Sequence, residues 1–218
     1  MDGDKKTATP QEKPREGEVI AGGLRLCYRD SGNGAPLLCL GSATGSSALP
    51  ELLSPHGRVI ELLLPMPAAP SVAPAIPEAA TALGLDRCNL LARGDAAALA
   101  LGFALDYPER VHALVLLGPT VIAPSGQPTA TADEALAARL SALKVPVLAL
   151  FGTKDRLAPP ETGRHYRERI PSCNVVFVYD AGSAMAEDRP EAVVEVVVDF
   201  LERSDQFLVR RATDLLFR

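Results

Sequence analysis

Tryptophan is absent from this sequence, histidine occurs three times, and aromatic residues make up only 5% of the chain. The four cysteines, Cys27, Cys39, Cys88 and Cys173, lie far apart and form no Cys-x-x-Cys pair. Zinc sites and disulfide frameworks are built from cysteines or histidines at short, regular spacings, and this sequence has neither pattern. We therefore expect four reduced, mostly buried thiols, no metal site and no cofactor.

Long hydrophobic runs and a strong excess of positive charge are also missing. No apolar stretch approaches the roughly 20 residues that a membrane-spanning helix requires, and the polar N-terminus lacks the hydrophobic core of a signal peptide. The net charge of −5 gives no basic surface for nucleic acid or for an anionic membrane. We expect a cytoplasmic protein that binds neither nucleic acid nor membrane.

Three segments of the chain differ in composition. Residues 1–16 are polar and interrupted by proline, which predicts a flexible N-terminal arm. Residues 17–204 form the predicted globular domain. Residues 205–218 carry apolar residues at helical spacing and two arginines off that face, which predicts an amphipathic helix. This helix either packs on its own domain or binds a protein partner or a second copy of the chain.

Short apolar runs alternate with helix-like segments through the predicted domain. The runs are almost continuously apolar, as is typical of strands covered on both faces. Near the N-terminus, two runs of alternating pattern are joined at Gly22-Gly23, which predicts a hairpin. We predict an α/β fold: a doubly wound, mostly parallel eight-stranded sheet with helices on both faces and an antiparallel N-terminal hairpin.

Two helix starts are predicted from local signals. Pro77 suits the first position of a short helix that runs to Ala82. Thr131 and Glu134 have the spacing of a capping box, which predicts a helix over about residues 132–143.

Four stretches of the sequence form a recognisable series. They are Leu24-Arg25-Leu26-x-Tyr28-Arg29-Asp30-Ser31-Gly32, the run from Asn89 to Val111, Val145-Pro146-Val147 with Gly152, Asp155 and Pro159-Pro160, and Asp180-Ala181-Gly182 before Arg189-Pro190-Glu191. In their order and spacing they resemble the α/β-hydrolase superfamily. The resemblance covers about residues 17–203 and implies the fold of that family.

The catalytic positions of the family are only partly kept. In that family a serine on a strained strand-to-helix turn attacks the substrate, a histidine takes its proton, and an acid orients the histidine. The resemblance places Asp155 at the acid position, but it places Gly94 at the nucleophile position and Ser183 at the histidine position. The fourteen-residue step from Gly94 to Pro108 supports this alignment. An alignment shifted by one residue would instead make Asp95 an aspartate nucleophile.

The loops around these positions have also changed. The resemblance implies an oxyanion loop at Gly41, Ser42 and Thr44, although the usual His-Gly pair there is replaced by Leu-Gly. The segment where family members insert a lid domain spans only residues 119–144, so we expect a minimal cap and an essentially lidless protein. Without the nucleophile and the histidine, Asp155 is expected to serve the structure of its loop.

Two functions follow as hypotheses. The first is a pseudoenzyme, in which the hydrolase-like scaffold has a binding or subunit role and takes a small apolar or acyl-type ligand. The alternative is a hydrolase-family enzyme, or a lyase or cyclase, that uses the residual groups of Asp155, Asp95, Ser183 and Ser42 without a Ser-His pair. Convergence of Asp95 and Asp155 on one enclosed cavity would favour the alternative, whereas a filled site would favour the pseudoenzyme. An open apolar cavity with few titratable groups would instead indicate a receptor for a small ligand.

Overall fold

The computed structural model describes residues 13–42, 47–65, 70–122 and 133–203. The predicted C-terminal helix at 205–218, Thr44 and most of the predicted N-terminal arm lie outside the described residues. The first strand begins at Arg15, so the last two residues that we assigned to the arm belong to the sheet.

In the described part of the chain, eight strands form one sheet in the order β1-β2-β4-β3-β5-β6-β7-β8. The two pairings at the N-terminal edge, β1 with β2 and β2 with β4, are antiparallel, and all other neighbours are parallel. This confirms the predicted sheet. The strands are β1 (Arg15–Ala21), β2 (Leu24–Ser31), β3 (Pro36–Ser42), β4 (Arg58–Leu64), β5 (Cys88–Arg93), β6 (Val111–Leu117), β7 (Val147–Gly152) and β8 (Cys173–Val178).

The predicted N-terminal hairpin is confirmed. Ala21 pairs with Leu24, which leaves Gly22 and Gly23 as a two-residue loop. Their φ angles of 56° and 73° are both positive, as the tight turn that suits a twisted hairpin requires, and glycine adopts such angles without steric cost.

Helices cover both faces of the sheet, as predicted. Buried side chains of α2, α3, α4 and α5 join the core on one face, and those of α1, α6 and α7 join the core on the other. In the described residues the helices are α1 (Leu49–Leu53), α2 (Ala75–Ala82), α3 (Ala96–Asp106), α4 (Glu134–Arg139), α5 (Thr162–Arg169), α6 (Met185–Asp188) and α7 (Pro190–Arg203).

Both predicted helix starts were wrong by about two residues. Helix α2 begins at Ala75, so Pro77 is its third residue, still within the first turn, where a missing N–H breaks no helical hydrogen bond. Helix α4 is capped by Asp133, whose carboxylate accepts a hydrogen bond from the N–H of Leu136. Thr131, the predicted cap, lies outside the described residues.

All four cysteines are free thiols, and three of them are buried, whereas Cys27 is exposed. No helix among the described residues is long and apolar enough to cross a membrane. The same residues contain no group of three histidine, cysteine or acidic side chains that could hold a metal ion.

Candidate functional site

A cavity of about 410 Å³ lies at the edge of the sheet where the parallel strands β3, β5 and β8 have their carboxyl ends. Open α/β sheets bind ligands at this edge, because the loops that follow the strands surround a crevice there. Of the described residues that the sequence singled out, Asp155 does not line the cavity. Those that do are Gly41, Ser42, Gly94, Asp95 and Ser183.

Gly94 lies at the apex of the turn between β5 and α3, which we call the elbow (residues 93–95). Its φ is +53°, and its N–H donates to the carbonyl oxygen of Leu117 at 2.9 Å. A β-carbon there would have no other heavy atom within 4 Å, so the space for a side chain remains open. Asp95, by contrast, has helical φ and ψ angles of −73° and −25° at the start of α3. The strained position of the elbow therefore belongs to Gly94, which favours the alignment without a shift.

Asp155 follows β7 and is only 4% exposed. Its Oδ1 accepts hydrogen bonds from the N–H groups of Leu157 at 2.8 Å and Ala158 at 3.0 Å. This is the geometry of an Asx-type loop, and it agrees with the structural task that the sequence suggested for the residue. The other oxygen, Oδ2, is buried and has no hydrogen-bond partner among the described residues.

The unpartnered oxygen of Asp155 is covered by Gly118 and Met185. A β-carbon on Gly118 would lie 3.1 Å from Oδ2 of Asp155 and 3.6 Å from Cε of Met185, so all three meet at one point. Met185 is fully buried, whereas Ser183, two residues earlier, is exposed. Oδ2 of Asp155 thus faces the backbone of Gly118, with Met185 nearby, and Asp155 is not among the described residues that line the cavity.

Glu61 lines the cavity and was missed at the sequence level. It lies in β4, is 5% exposed, and its Oε2 accepts a hydrogen bond from Nη1 of Arg29 at 3.3 Å. Burial raises the pKa of Glu61, and the nearby Arg29 offsets only part of that effect. The available signal was the charged residue Glu61 inside the otherwise apolar run 59–64, since a buried strand tolerates a charge only with a partner or a function.

Arg93 and Glu187 form an ion pair that joins the elbow to α6. Nη1 and Nη2 of Arg93 each lie 2.8 Å from an oxygen of Glu187, which makes the pair bidentate. Burial is the largest single influence and would raise the pKa of Glu187, but the hydrogen bonds and the positive charge of Arg93, with smaller hydrogen-bond contributions, together lower the pKa. Both side chains line the cavity, and their ion pair connects the loop after β5 with the loop after β8.

Comparison with solved structures finds the same architecture in several hydrolases. A CIB-like hydrolase from Thermoplasma acidophilum matches with a TM-score of 0.72 and 18% identity over 86% of this chain and 97% of its own. A meta-cleavage product hydrolase from Pseudomonas fluorescens IP01 matches with a TM-score of 0.73 and 17% identity over 85% and 97%. Naproxen esterase from Bacillus subtilis matches with a TM-score of 0.73 and 16% identity over 87% and 92%.

This chain has the α/β-hydrolase fold. The sequence comparisons add little beyond that, because no protein-family model matches the chain. A 64-residue stretch is 28% identical to the hydrolase YugF of Bacillus subtilis (strain 168) and covers 29% of this chain. That match spans only 23% of the length of YugF. In this α/β-hydrolase fold, Gly94 and the residues after β7 and β8 occupy the sheet edge at which the family carries its catalytic groups.

Proposed function

We propose that this protein uses the α/β-hydrolase fold without ester hydrolysis and binds a small ligand in the cavity beside Gly94. The observation that carries the proposal is the residue at the apex of the elbow. Gly94 holds the left-handed backbone of a nucleophile position, yet it has no side chain with which to attack a carbonyl. Once catalysis is no longer required, glycine is also the residue that this backbone accepts at the lowest energy.

The position of Asp155 supports the proposal. A triad acid acts by accepting a hydrogen bond from the histidine and by stabilising its positive charge. Here Oδ1 is occupied by two backbone N–H groups, Oδ2 lies beside Met185 and Gly118, and the histidine position is Ser183. Among the described residues, Asp155 does not line the cavity.

The charge near the predicted oxyanion loop gives a third argument. Gly41 and Ser42 are the described residues of that loop, and Oε1 of Glu61 lies next to Gly41. Oxyanion holes stabilise negative charge with N–H or O–H donors, and a carboxylate beside them opposes that charge. The cavity is therefore poorly suited to a tetrahedral acyl intermediate.

The proposal is tested with p-nitrophenyl acetate and p-nitrophenyl butyrate. We expect the wild type to release nitrophenol no faster than the Asp155→Ala variant or buffer alone. The matched control is Asp133→Ala, which removes an aspartate that also accepts a hydrogen bond from a backbone N–H, that of Leu136, but lies at the start of α4. Saturable hydrolysis that is lost in Asp155→Ala and kept in Asp133→Ala would overturn the proposal.

A lyase or cyclase that works without a covalent intermediate is the second candidate. The observation that favours it is the pair of carboxylates that line the cavity, Glu61 and Asp95, because a buried carboxyl group with a raised pKa is suited to proton transfer. We expected Asp155 to supply one of these two carboxylates, but in the structure Glu61 lines the cavity and Asp155 does not. Exchange of a ligand C–H for deuterium in D2O, catalysed by the wild type and lost in Glu61→Gln, would support this candidate.

The remaining elements of the hypothesis concern partners. The apolar side chains of Leu40, Leu49 and Leu91 line the cavity, which supports a ligand with an apolar body. The predicted protein partner or second copy would contact residues 205–218, which lie outside the described residues.

A further inference from the structure

The carboxylate of Glu61 is buried with few hydrogen bonds for its charge. A carboxylate can accept about four hydrogen bonds, and burying one is unfavourable unless its charge is paired. The guanidinium that serves Glu61 is that of Arg29, at 3.3 Å, and this group is shared with Glu16 at 3.2 Å. Arg29 lies on β2 and Glu61 on the neighbouring β4, so the pair is held in register by the sheet.

The carboxylate of Glu61 can lie at the cavity because Gly41 has no side chain. A β-carbon on Gly41 would lie 2.8 Å from Oε1 and 3.0 Å from Cγ of Glu61, closer than real β-carbons approach such atoms. Because the glycine leaves this space empty, Oε1 lies against the backbone of β3 at the wall of the cavity. Glu61 and Gly41 together form an acceptor site that the family's catalysis does not need.

The charges around the cavity favour a cationic ligand. Among its described lining residues, Glu61, Asp95 and Glu187 are acidic and Arg93 is the single basic residue. Both terminal nitrogens of Arg93 are engaged by Glu187, so an anionic ligand would have to displace that carboxylate. Even with Arg29 counted against Glu61 and Arg93 against Glu187, acidic groups exceed basic ones by one, which favours a cation.

The rest of the wall is largely apolar. Leu40, Leu49, Pro50 and Leu91 line it, and a volume of about 410 Å³ is within the range of small-molecule pockets. Such a wall packs against an aromatic or aliphatic body and leaves one polar end of the ligand for the carboxylates.

We propose that the cavity binds a small organic amine, with an apolar body against the leucines and its protonated amino group on Oε1 of Glu61. The inference rests on the proposed function, since it names the ligand class of the same cavity. It requires no chemical step, because the amine is bound and not converted.

Three probes of matched size test the ligand class: phenethylamine, phenethyl alcohol and phenylacetate, each titrated into the full-length chain by calorimetry. We expect the amine to bind about tenfold tighter than the alcohol, as a charge-assisted hydrogen bond in a partly buried site provides, and phenylacetate to bind more weakly than either. Equal affinities for amine and alcohol, tighter binding of phenylacetate, or no binding of any probe would each overturn the inference.

The variant Glu61→Gln tests whether Glu61 is the group that binds the amine. The variant keeps the size of the side chain, so we expect the preference for amine over alcohol to disappear while the affinity for the alcohol is unchanged. The control is Glu18→Gln, which removes an exposed carboxylate paired with Arg25 on the neighbouring hairpin and should keep the preference. A preference that survives Glu61→Gln would assign amine binding to another group and contradict the inference.

If Glu61→Gln does not fold, the pH dependence of ligand binding by the wild type tests whether Glu61 binds the amine. Burial raises the pKa of Glu61, so its carboxylate becomes protonated at a higher pH than an exposed one would. The affinity for phenethylamine should therefore rise with pH across the acidic range and then level off. The affinity for phenethyl alcohol should stay flat, and parallel profiles for the two probes would refute the assignment. These outcomes are independent of the ester assay, since ester turnover would overturn the proposed function and leave the amine preference to be judged by itself.

Discussion

Oε1 of Glu61 lies 2.8 Å from the point where a β-carbon would stand on Gly41. The two residues are on neighbouring parallel strands, β4 and β3, and no residue larger than glycine fits at position 41 while the carboxylate holds its place. An acid and a glycine that the sequence separates by twenty positions thus form one wall of the cavity. Several consequences can be measured.

Gly41→Ala should destabilise the protein because its methyl group meets Glu61. Overpacking of a buried site costs about 1–3 kcal/mol, measurable as the free energy of unfolding in urea. In a Glu61→Ala background the same substitution should cost much less, since the clash is gone. The control is Gly102→Ala in α3, where a β-carbon meets open space and the change should be neutral or stabilising by up to about 1 kcal/mol. Equal costs of Gly41→Ala in both backgrounds would exclude the contact.

Glu61 should make stability depend on pH in a specific direction. Its pKa is raised by burial in the folded state, so the folded protein holds this proton to higher pH than the unfolded chain does. The contribution of Glu61 to the free energy of unfolding is therefore greatest below the unfolded pKa and falls as pH rises through the folded pKa. Because glutamine does not titrate, the Tm of Glu61→Gln relative to wild type should rise with pH over this window and then stay constant. A difference in Tm that falls with pH for Glu61→Gln would contradict the burial argument.

Gly94→Ala should cost stability through its backbone alone. A left-handed conformation costs an L-residue about 1–2 kcal/mol, and no neighbouring atom adds a clash at this position. Urea denaturation should show that loss for Gly94→Ala and no loss for Gly102→Ala. Gly94→Ser should behave like Gly94→Ala and remain without esterase activity, since Ser183 offers no base. A stabilised Gly94→Ala variant would mean that the elbow is not strained.

Asp155→Ala should destabilise the loop after β7. The substitution leaves the N–H groups of Leu157 and Ala158 without their acceptor, at a cost of about 1–3 kcal/mol. Asp155→Asn keeps an oxygen in the place of Oδ1 and should lose less. If Asp155→Asn lowered the free energy of unfolding as much as Asp155→Ala, the charge of Asp155 would contribute to stability in a way that the two loop hydrogen bonds do not explain.

Much of the fold could be predicted because its signals are local. Strands β4 and β6 are almost continuous apolar runs, the pattern that predicts strands covered on both faces. The starts of α2 and α4 were missed because a proline or a threonine can occupy several positions near a helix start. Which residue caps a helix depends on contacts that the sequence pattern does not contain.

Only some residues of the candidate site could be predicted from the sequence. Gly94 could be placed at the elbow because the strand, the turn and the helix are contiguous. Glu61 could not be placed at the cavity, because its position there depends on the parallel register with β3 and on the empty space at Gly41. The surroundings of Asp155 were inaccessible for the same reason, because Gly118 and Met185 are distant from it in sequence and come near it only after folding.

The central claim is that no residue of the cavity forms a covalent intermediate with an ester. Mass spectrometry of the protein, quenched in acid after incubation with p-nitrophenyl butyrate and mapped by peptide, tests this most directly. We expect no butyryl group on any residue that lines the cavity, with the exposed thiol of Cys27 as the background site of acylation. A butyryl group on Asp95, Ser42 or Ser183 that forms and decays with turnover would contradict the account.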